Sequence, residues 1–218
     1  MRVRKPSNRG GVKKIISKFM SHRMNRVIYT EGNIELDYLY LLEFDHPNVS
    51  HFEEQPARIH YELDGKWRHY TPDFYVERLG ERLIVEVKRK DEAEAEENQR
   101  LFRIAADACE RDGYKFVVVT DEMIRVQPRL DNVKLLVRYE RTEIDNPLYQ
   151  IACHQFFAEK GEATLGEVMQ YFAARGVGKD VVYSLLFWRV LAVDLMAPIG
   201  PDSVVAMPGV GISERRVS

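Results

Sequence analysis

Cysteine is scarce in this sequence, and long apolar runs are absent. Only two of the 218 residues are cysteines, Cys109 and Cys153, and they lie far apart in no metal-like spacing. No apolar stretch approaches the roughly 18 residues of a membrane span, and the N-terminus has no apolar signal core. We therefore expect a protein of the reducing cytoplasm, without membrane contact and with free thiols.

Acidic residues are missing from the first thirty positions, although the net charge of the whole chain is only −2. This segment contains nine Lys or Arg residues: Arg2, Arg4, Lys5, Arg9, Lys13, Lys14, Lys18, Arg23 and Arg26. Such a basic segment typically follows a phosphate backbone, but a solubilising tail has the same composition. We expect residues 1–27 to form a basic arm with one of these two roles.

The pattern of apolar residues predicts an α/β domain after the arm. We expect, in chain order, a largely buried helix over 30–44, strands over 58–63, 67–76 and 82–88, a helix over 92–111, a strand over 115–120 and a further strand over 132–138. The continuous apolar run KFVVVT is typical of a buried, often parallel, strand. The order helix, three strands, helix, strand predicts a mixed sheet flanked by helices.

A second, smaller domain is predicted at the C-terminal end. The apolar pattern lapses between Glu140 and Pro147, so we place a boundary there, with domains over 28–145 and 146–218. Helices are expected over 148–160, from the capping box Thr164-Leu-Gly-Glu167 to about residue 175, and over 179–193, followed by strands over 194–199 and 203–207. Three helices followed by a two-stranded wing predict a winged-helix-like domain.

Charged side chains on one strand face indicate a catalytic site in the first domain. Glu86 and Lys88 alternate with valines in an apolar strand and therefore project to the same side. Asp73 follows Pro72 at the start of a strand that pairs with this one across the Gly80 turn. Carboxylate oxygens suit Mg²⁺, and a lysine beside the metal can orient or deprotonate the attacking water. This combination is sufficient for phosphodiester hydrolysis. The alternative without a catalytic role is a surface ion pair between Glu86 and Lys88.

Further residues are candidates for supporting roles at this site. Glu35 lies on the buried helix and is the preferred additional metal ligand. Glu31 precedes it by four residues on the same predicted helix face, where a carboxylate also complements the helix dipole. Gln55 either contacts the site or closes a turn before the first strand, and Arg89 and Lys90 are expected to touch phosphate.

The sequence pattern of a Pro-Asp pair at Asp73, a spacer and then Glu86-x-Lys88 resembles the motif of the PD-(D/E)xK nuclease superfamily. A closer resemblance comes from the combined motifs between residues 28 and 120. The stretches EGNIELDYLYLLEFD (Glu31 to Asp45), EEQPARI, YTPDF and VEVK are together similar to the TnsA endonuclease family. Members of this family are the nuclease subunits of heteromeric cut-and-paste transposons of the Tn-seven type, including elements that have captured CRISPR effectors.

The resemblance implies a restriction-endonuclease-like core and a specific set of site residues. The catalytic residues it implies are Glu35, Asp73, Glu86 and Lys88, with metal ligands from Asp73, Glu86, Glu35 and the backbone carbonyl of Val87. One or two Mg²⁺ ions are expected, and Mn²⁺ is expected to substitute. Some relatives carry Gln at the position of Glu86, and the residue here is the usual one of the wider superfamily.

The resemblance also implies a reaction and its partners. The chain is expected to cut double-stranded DNA at the 5′ ends of a transposon, in the bacterial cytoplasm and at the nucleoid when active. A separate DDE transposase would cut and join the 3′ ends, and an AAA+ ATPase would regulate both. Two other readings remain open: a stand-alone nuclease of the Holliday-junction, repair or restriction type, and a DNA-binding scaffold with an inactive nuclease fold.

The charge of the C-terminal domain favours protein docking over DNA binding. Residues 148–209 contain four Lys or Arg and six Asp or Glu residues. A negatively charged domain is poorly suited to phosphate binding, because that affinity comes mostly from neutralised backbone charge. We expect the domain to dock the ATPase or the transposase, while the basic arm contacts DNA. Phe187 and Trp188 are candidate anchors, and the alternative for at least one of them is a core position in the three-helix domain.

Overall fold

A computed structural model of the chain describes residues 16–56, 58–63 and 65–208. The chain divides into two compact units, Met1–Val126 and Gln127–Ser218. This division falls earlier in the chain than the expected boundary at residues 140–147. The segment between the two positions includes a helix that packs within the second unit, as shown below.

The described part of the first unit alternates strands and helices. Its elements are β1 (Ser17–Ser21), β2 (Arg26–Thr30), α1 (Asn33–Phe44), β3 (Val49–Glu54), β4 (Ile59–Leu63), β5 (Lys66–Tyr70), β6 (Phe74–Arg78), β7 (Glu81–Lys88), α2 (Lys90–Glu94), α3 (Glu96–Arg111), β8 (Lys115–Thr120) and α4 (Asp121–Ile124). The single helix expected over 92–111 is interrupted because Ala95 is extended, with ψ of 134°.

Part of the predicted basic arm is folded. Strands β1 and β2 form an antiparallel hairpin that buries Phe19 and Ile28. The arginines of this segment serve the fold: Arg23 donates to the carbonyls of Leu42 and Val49, and Arg26 pairs with Glu54 at 2.6 Å. The remaining arm residues Arg2, Arg4, Lys5, Arg9, Lys13 and Lys14 lie outside the described residues.

Helix α1 begins three residues later than expected, because strand β2 continues through Thr30. Its N-cap is Gly32. Glu31 therefore lies in the bend before the helix, and the prediction that Glu31 and Glu35 share a helix face is wrong. The helix still buries Leu39 and Leu42, as the apolar pattern predicts.

The central sheet is mixed and lies between helices, as expected. Its strand order is β3-β6-β7-β8, with antiparallel pairs up to β7 and a parallel β7–β8 pair. The ring of Tyr38 in α1 contacts Phe74 on one sheet face, and Phe102 in α3 contacts Phe116 on the other. Strand β3 was not expected, so Gln55 follows a strand of the sheet instead of preceding the first one.

The strand expected over 67–76 is divided into two. Strand β5 ends at Tyr70 and pairs with β4 in a separate two-stranded sheet, whereas β6 begins at Phe74 in the central sheet. Pro72 lies between them and has no N–H to donate, so the ladder breaks there. The β4–β5 hairpin is consequently a separate projection that leads directly into Asp73.

The second unit is mainly helical. Its described elements are α5 (Arg129–Val137), α6 (Pro147–Lys160), β9 (Glu162–Thr164), α7 (Leu165–Ala173), α8 (Lys179–Phe187), β10 (Ala192–Val193) and β11 (Val204–Ala206). The three strands form one sheet in the order β10-β11-β9. The core includes Phe172, Phe187, Leu165 and Leu185.

Helix α5 replaces the strand expected over 132–138. Leu130, Val133 and Leu136 are buried, and their spacing of three residues matches a helix. The helix contacts α8, and the side-chain amide of Asn132 donates to the carbonyls of Leu195 and Ala197 at 2.9 and 2.8 Å. These contacts assign α5 to the second unit.

The C-terminal elements are partly as expected. The capping box is confirmed: the Thr164 side chain accepts from the Glu167 N–H, and the Glu167 carboxylate accepts from the Thr164 N–H. Helix α8 ends at Phe187 instead of Val193, and Arg189 is left-handed with φ of 57°. The prediction of a strand over 194–199 is wrong, because the strand in this region is β10, which comprises only Ala192–Val193.

Both thiols are free and buried, as expected. Burial and the nearby Asp112 raise the pKa of Cys109 to about 11, and burial alone raises the pKa of Cys153 to about 11. Among the described residues, no helix is both long and apolar enough to cross a membrane.

Candidate active site

Asp73 is held in place by three backbone contacts. Its N–H donates to the carbonyl of Val85 at 3.1 Å, and its carbonyl accepts from the N–H of Gln55 at 2.8 Å. Its Oδ2 accepts from the N–H of Val87 at 2.8 Å. Because Phe74 pairs with Val85, the antiparallel register sets Asp73 beside Glu86. The convergence of these two residues follows from the strand pairing.

Glu86 and Lys88 lie at the end of β7. Glu86 is only 3% exposed, and the Nζ of Lys88 is 3.0 Å from its Oε1. Burying a carboxylate in an apolar strand costs free energy unless the carboxylate has partners. The buried Glu86–Lys88 pair therefore differs from the surface ion pair that was the alternative interpretation of the sequence. The Glu86–Lys88 ion pair is therefore an integral part of the sheet.

The raised pKa of Asp73 shows that the carboxylates of Asp73, Glu86 and Glu35 repel one another at close range. Burial raises the pKa of Asp73 well above its usual value, and the Glu86 and Glu35 carboxylates raise it further. The hydrogen bond from Val87 and the charge of Lys88 oppose this shift without cancelling it. A cation placed among these groups would relieve the repulsion.

Lys88 has an ammonium group that is stabilised by its neighbour. Burial acts to lower the pKa of Lys88, but the charge and hydrogen bond of Glu86 outweigh burial, so the net shift is upward. A metal ion beside the lysine would act in the opposite direction and lower this pKa. When Glu86 binds a cation, less of its charge is available to hold the proton on Lys88.

The residues present fit a Mg²⁺ ion. The Oε2 of Glu86 is buried and has no hydrogen-bond partner among the described residues, which leaves one oxygen free for a ligand. Within that same part of the chain, no group of three or more His, Cys, Asp or Glu side chains is arranged to hold a metal. Mg²⁺ usually takes only one or two carboxylates, with water and substrate phosphate completing its shell. Asp73 and Glu86 meet that requirement as a pair.

Glu35 approaches the site without joining the pair as a third ligand. Its Oε2 accepts from the N–H of Glu31 at 3.0 Å, in the first turn of α1. Its charge nevertheless contributes to the raised pKa of Asp73. Its role as an additional metal ligand stays a prediction, as does that of the Val87 carbonyl.

Gln55 and Glu31 form a buried link next to Asp73. The side-chain nitrogen of Gln55 lies 3.5 Å from Oε1 of Glu31, and both residues are buried. Gln55 is left-handed, with φ of 45°, which is uncommon for a residue other than glycine. Its backbone N–H binds the Asp73 carbonyl, so Gln55 both turns the chain and touches the site.

Tyr70 belongs to the site and was not predicted from the sequence. Its hydroxyl is buried, and neither it nor Oε2 of Glu86 meets hydrogen-bond geometry with any described residue. The two groups are nonetheless neighbours: burial raises the pKa of Tyr70, and the Glu86 carboxylate raises it further. The available sequence clue was its position three residues before Asp73.

The predicted DNA-contacting cations near the site are already ion-paired. Arg89 lies 3.0 Å from Asp91, and Lys90 lies 2.9 Å from Glu122. Such exposed pairs are weak, so a phosphate can compete for either cation. Lys18 is exposed on β1, with its Nζ 6.0 Å from the centre of the Tyr29 ring.

The two candidate anchors of the C-terminal unit differ in exposure. Phe187 is 0% exposed and belongs to the core, so the prediction that it anchors a partner is wrong. Trp188 is 37% exposed, and its indole N–H donates to the carbonyl of Glu140 at 3.2 Å. Only Trp188 has surface to offer a partner.

Comparison with known proteins bears on the segment that contains the site. Residues 46–121 match the family model described as TnsA-like endonuclease N terminal. The match includes Asp73, Glu86 and Lys88, and it leaves the second unit outside. No curated protein matches the chain. The matched segment is therefore similar to the N-terminal part of TnsA-like endonucleases, and the resemblance to the TnsA endonuclease family is confirmed.

Proposed function

We propose that this chain is a Mg²⁺-dependent endonuclease that cuts the 5′ ends of a transposon. The observation that carries the proposal is the meeting of Asp73, Glu86 and Lys88 at the end of β7 within a TnsA-like nuclease segment. Double-stranded DNA is the substrate. A DDE transposase cuts the 3′ ends, and an AAA+ ATPase regulates both enzymes.

Each residue of the site has a separate task. Asp73 and Glu86 hold the metal, and the N–H of Val87 fixes the orientation of the Asp73 carboxylate. When bound, Mg²⁺ polarises the scissile phosphate and activates water, and Mn²⁺ substitutes for it. Lys88 orients the attacking water through its ammonium group, because its Nζ sits beside the same carboxylate, and only its neutral form would take the proton of that water. Gln55 fixes the backbone of Asp73 from the other side.

The second unit serves as a protein-docking module with a winged-helix-like fold. Helices α6, α7 and α8 with a small three-stranded sheet support the fold, and the excess of acidic residues over 148–209 supports protein over DNA as partner. The exposed part of Trp188 is the proposed anchor. A Trp188→Ala chain should lose affinity for the transposase or the ATPase while its affinity for duplex DNA stays unchanged, and the opposite pattern would refute docking.

The decisive experiment replaces Asp73 by Asn in the full chain, assayed with the transposase and the ATPase. Asn keeps an acceptor for the Val87 N–H but removes the metal-binding charge. We expect 5′ cutting to be abolished and 3′ cutting to persist, so that joined, replicative products replace simple insertions. Glu77→Gln is the matched control, because Glu77 lies on the same strand and is bonded to Tyr75 instead of the site.

Two results would contradict the proposal. Simple insertions that persist in Asp73→Asn would exclude Asp73 from 5′ cutting. Efficient cleavage of duplex or branched DNA by the purified chain without a transposase would favour the stand-alone nuclease.

A further inference from the structure

The β4–β5 hairpin contributes Tyr70 to the candidate site, and the function proposed above gives no role to its other residues. It forms a two-stranded sheet of its own, with Ile59 opposite Tyr70 and Glu62 opposite Trp67. Cross-strand partners project to the same face, so Lys66 and Arg68 lie on the face formed by three partly apolar side chains, those of Ile59, Tyr61 and Tyr70. All three are partly buried, and the Tyr70 ring contacts Phe116 of the central sheet. This face attaches the hairpin to the domain.

The opposite face of the hairpin is open to solvent. It consists of His60, Glu62, Trp67 and His69, all of which are exposed. Trp67 is 75% exposed, more than any other large hydrophobic residue of the described chain. This exposure makes the indole available for contact with a ligand on this face of the hairpin.

The hairpin also supplies exposed positive charge. Arg58, Lys66 and Arg68 are exposed, and the sequence of residues 58–70 contains two acidic residues, Glu62 and Asp64. None of the three cations forms an ion pair with another described residue, in contrast to Arg89 and Lys90. Among the described residues, no carboxylate competes with phosphate for these side chains.

Trp67 lies on the same strand as Tyr70, which neighbours Glu86. The three residues from Trp67 to Tyr70 correspond to about 10 Å at the usual rise of about 3.3 Å per residue. A duplex that runs along β5 from a phosphate at Asp73 and Glu86 would place nucleotides about three steps away, at about 3.4 Å per step, beside Trp67.

We propose that the β4–β5 hairpin is a DNA-binding ribbon that lies in a groove of the duplex about three nucleotides from the cut. A two-stranded ribbon fits the major groove, and this one would set Trp67 against sugars or base edges and Lys66 against a phosphate. The proposal rests on the nuclease function proposed above, and it adds the element that positions the duplex.

The test uses the fluorescence of Trp67 in the full chain. The sequence contains two tryptophans, so a Trp188→Phe chain reports Trp67 alone. In a metal-free buffer with chelator, where the DNA stays intact, we expect a short duplex to quench this emission. Trp67→Ala, measured by anisotropy of a labelled duplex, should raise the Kd roughly tenfold, the scale of one aromatic contact with a base.

The salt dependence tests the cations of the hairpin. Lys66→Ala should lower the slope of log Kd against log salt by about 0.9, because one phosphate contact is lost. Lys115→Ala is the matched control, since Lys115 is an exposed lysine at the other end of the sheet, paired with Glu81. It should leave the slope unchanged.

Several outcomes would overturn the hairpin proposal. The first is a Trp67 emission that stays unchanged while anisotropy reports duplex binding. The second is an equal slope of log Kd against log salt for Lys66→Ala and Lys115→Ala. The third is a Trp67 emission that responds to the transposase and not to DNA. Trp67 and Lys66 are exposed, so both variants should keep the wild-type Tm, which separates lost binding from lost folding.

Cleavage is scored separately, with Mg²⁺ and the transposase present. If the wild-type chain does not cut but Trp67 is quenched by the duplex, the nuclease proposal fails and the hairpin contact stands. If Trp67→Ala and Lys66→Ala cut normally and bind duplex with wild-type affinity, the hairpin proposal fails and the nuclease stands.

Discussion

At the scale of single residues, Tyr70 connects the hairpin to the catalytic carboxylates. Its ring packs on Phe116, and its buried hydroxyl lies beside Glu86 without a hydrogen bond to a described residue. Leaving a buried hydroxyl unpaired costs free energy, so the group is expected to find a partner in the working state. Of the charged groups around it, the Glu86 carboxylate acts most strongly on Tyr70, so Tyr70 can fix the orientation of that carboxylate.

Tyr70→Phe should therefore weaken metal binding while keeping the fold. We expect roughly a 10- to 100-fold loss of Mg²⁺ affinity, the usual cost of removing a group that orients a metal ligand. The measurement is the Mg²⁺ concentration that gives half of the thermal shift, together with the Mg²⁺ dependence of cleavage. The phenyl ring keeps its packing on Phe116, so the metal-free Tm should change little.

Tyr75→Phe provides the control for this substitution. Tyr75 lies on the neighbouring strand, and its hydroxyl donates to Glu77 at 2.7 Å instead of approaching Glu86. Equal Mg²⁺ affinities of the Tyr70 and Tyr75 variants would rule out a positioning role for Tyr70.

At the scale of elements, the β1–β2 hairpin is fastened to α1 by one buried carboxylate. Glu43 is 0% exposed and accepts from Ser21 Oγ at 2.8 Å and from the N–H groups of His22 and Arg23 at 3.0 and 3.2 Å. All three donors belong to the turn between the strands or to its edge. Glu43 therefore determines where the folded part of the basic segment sits on the nuclease core.

Glu43→Ala should destabilise the first unit by about 3 kcal/mol, because it leaves buried donors unsatisfied and opens a cavity. Glu43→Gln keeps an acceptor and should cost less. The measurement is urea unfolding of the full chain, followed by circular dichroism. Glu110→Gln is the control, because Glu110 is exposed on α3. A Glu43→Ala chain as stable as this control would contradict the assigned role.

The capping box predicts a pH dependence of the second unit. The hydrogen bond from Lys160, followed by those from the Thr164 N–H and hydroxyl, lowers the pKa of Glu167 from 4.5 to about 2. The folded state thus binds this proton less readily than the unfolded state. The stabilisation is present above about pH 4.5 and is lost as the pH falls towards 2.

Glu167→Gln should lower the Tm at neutral pH, and the difference from wild type should shrink as the pH falls through this range. The effect should be modest, because the carboxylate is exposed and screened by solvent. Differential scanning calorimetry across the acid range measures it. A Tm difference that stays constant with pH would exclude the ionised carboxylate as its source.

At the scale of the whole molecule, metal binding should appear as stability. A ligand at about 100 times its Kd stabilises the folded state by about 2.7 kcal/mol. We expect Mg²⁺ to raise the Tm of the wild-type chain, since a cation relieves the repulsion that raises the pKa of Asp73. Asp73→Asn should already be relieved of this repulsion in the absence of metal.

The same variant provides the readout for the site. Its metal-free Tm should be at or above that of the wild type, and Mg²⁺ should no longer raise it. An equal Mg²⁺-induced shift in the wild type and in Asp73→Asn would place the metal elsewhere in the molecule.

The sequence alone determined the chemistry of the site and the main architecture of its domain. Residue alternation in an apolar strand sets Glu86 and Lys88 on one side, and this local rule holds wherever the strand forms. The run KFVVVT predicted the parallel strand β8, and the capping box at Thr164 is equally local, since both of its partners lie within one turn. Such features depend on neighbours in the chain.

Only the tertiary structure decided which distant groups meet. Glu31 and Gln55 contact each other although they are twenty-four positions apart in the chain. Tyr70 lies beside Glu86 because the chain leaves the β4–β5 sheet at Tyr70, passes Pro72 and enters the central sheet next to β7. The segment over 132–138 has apolar residues that suit a strand or a helix, and packing against α8 selects the helix. Burial and pairing over long separations depend on the packed chain, so no local pattern specifies them.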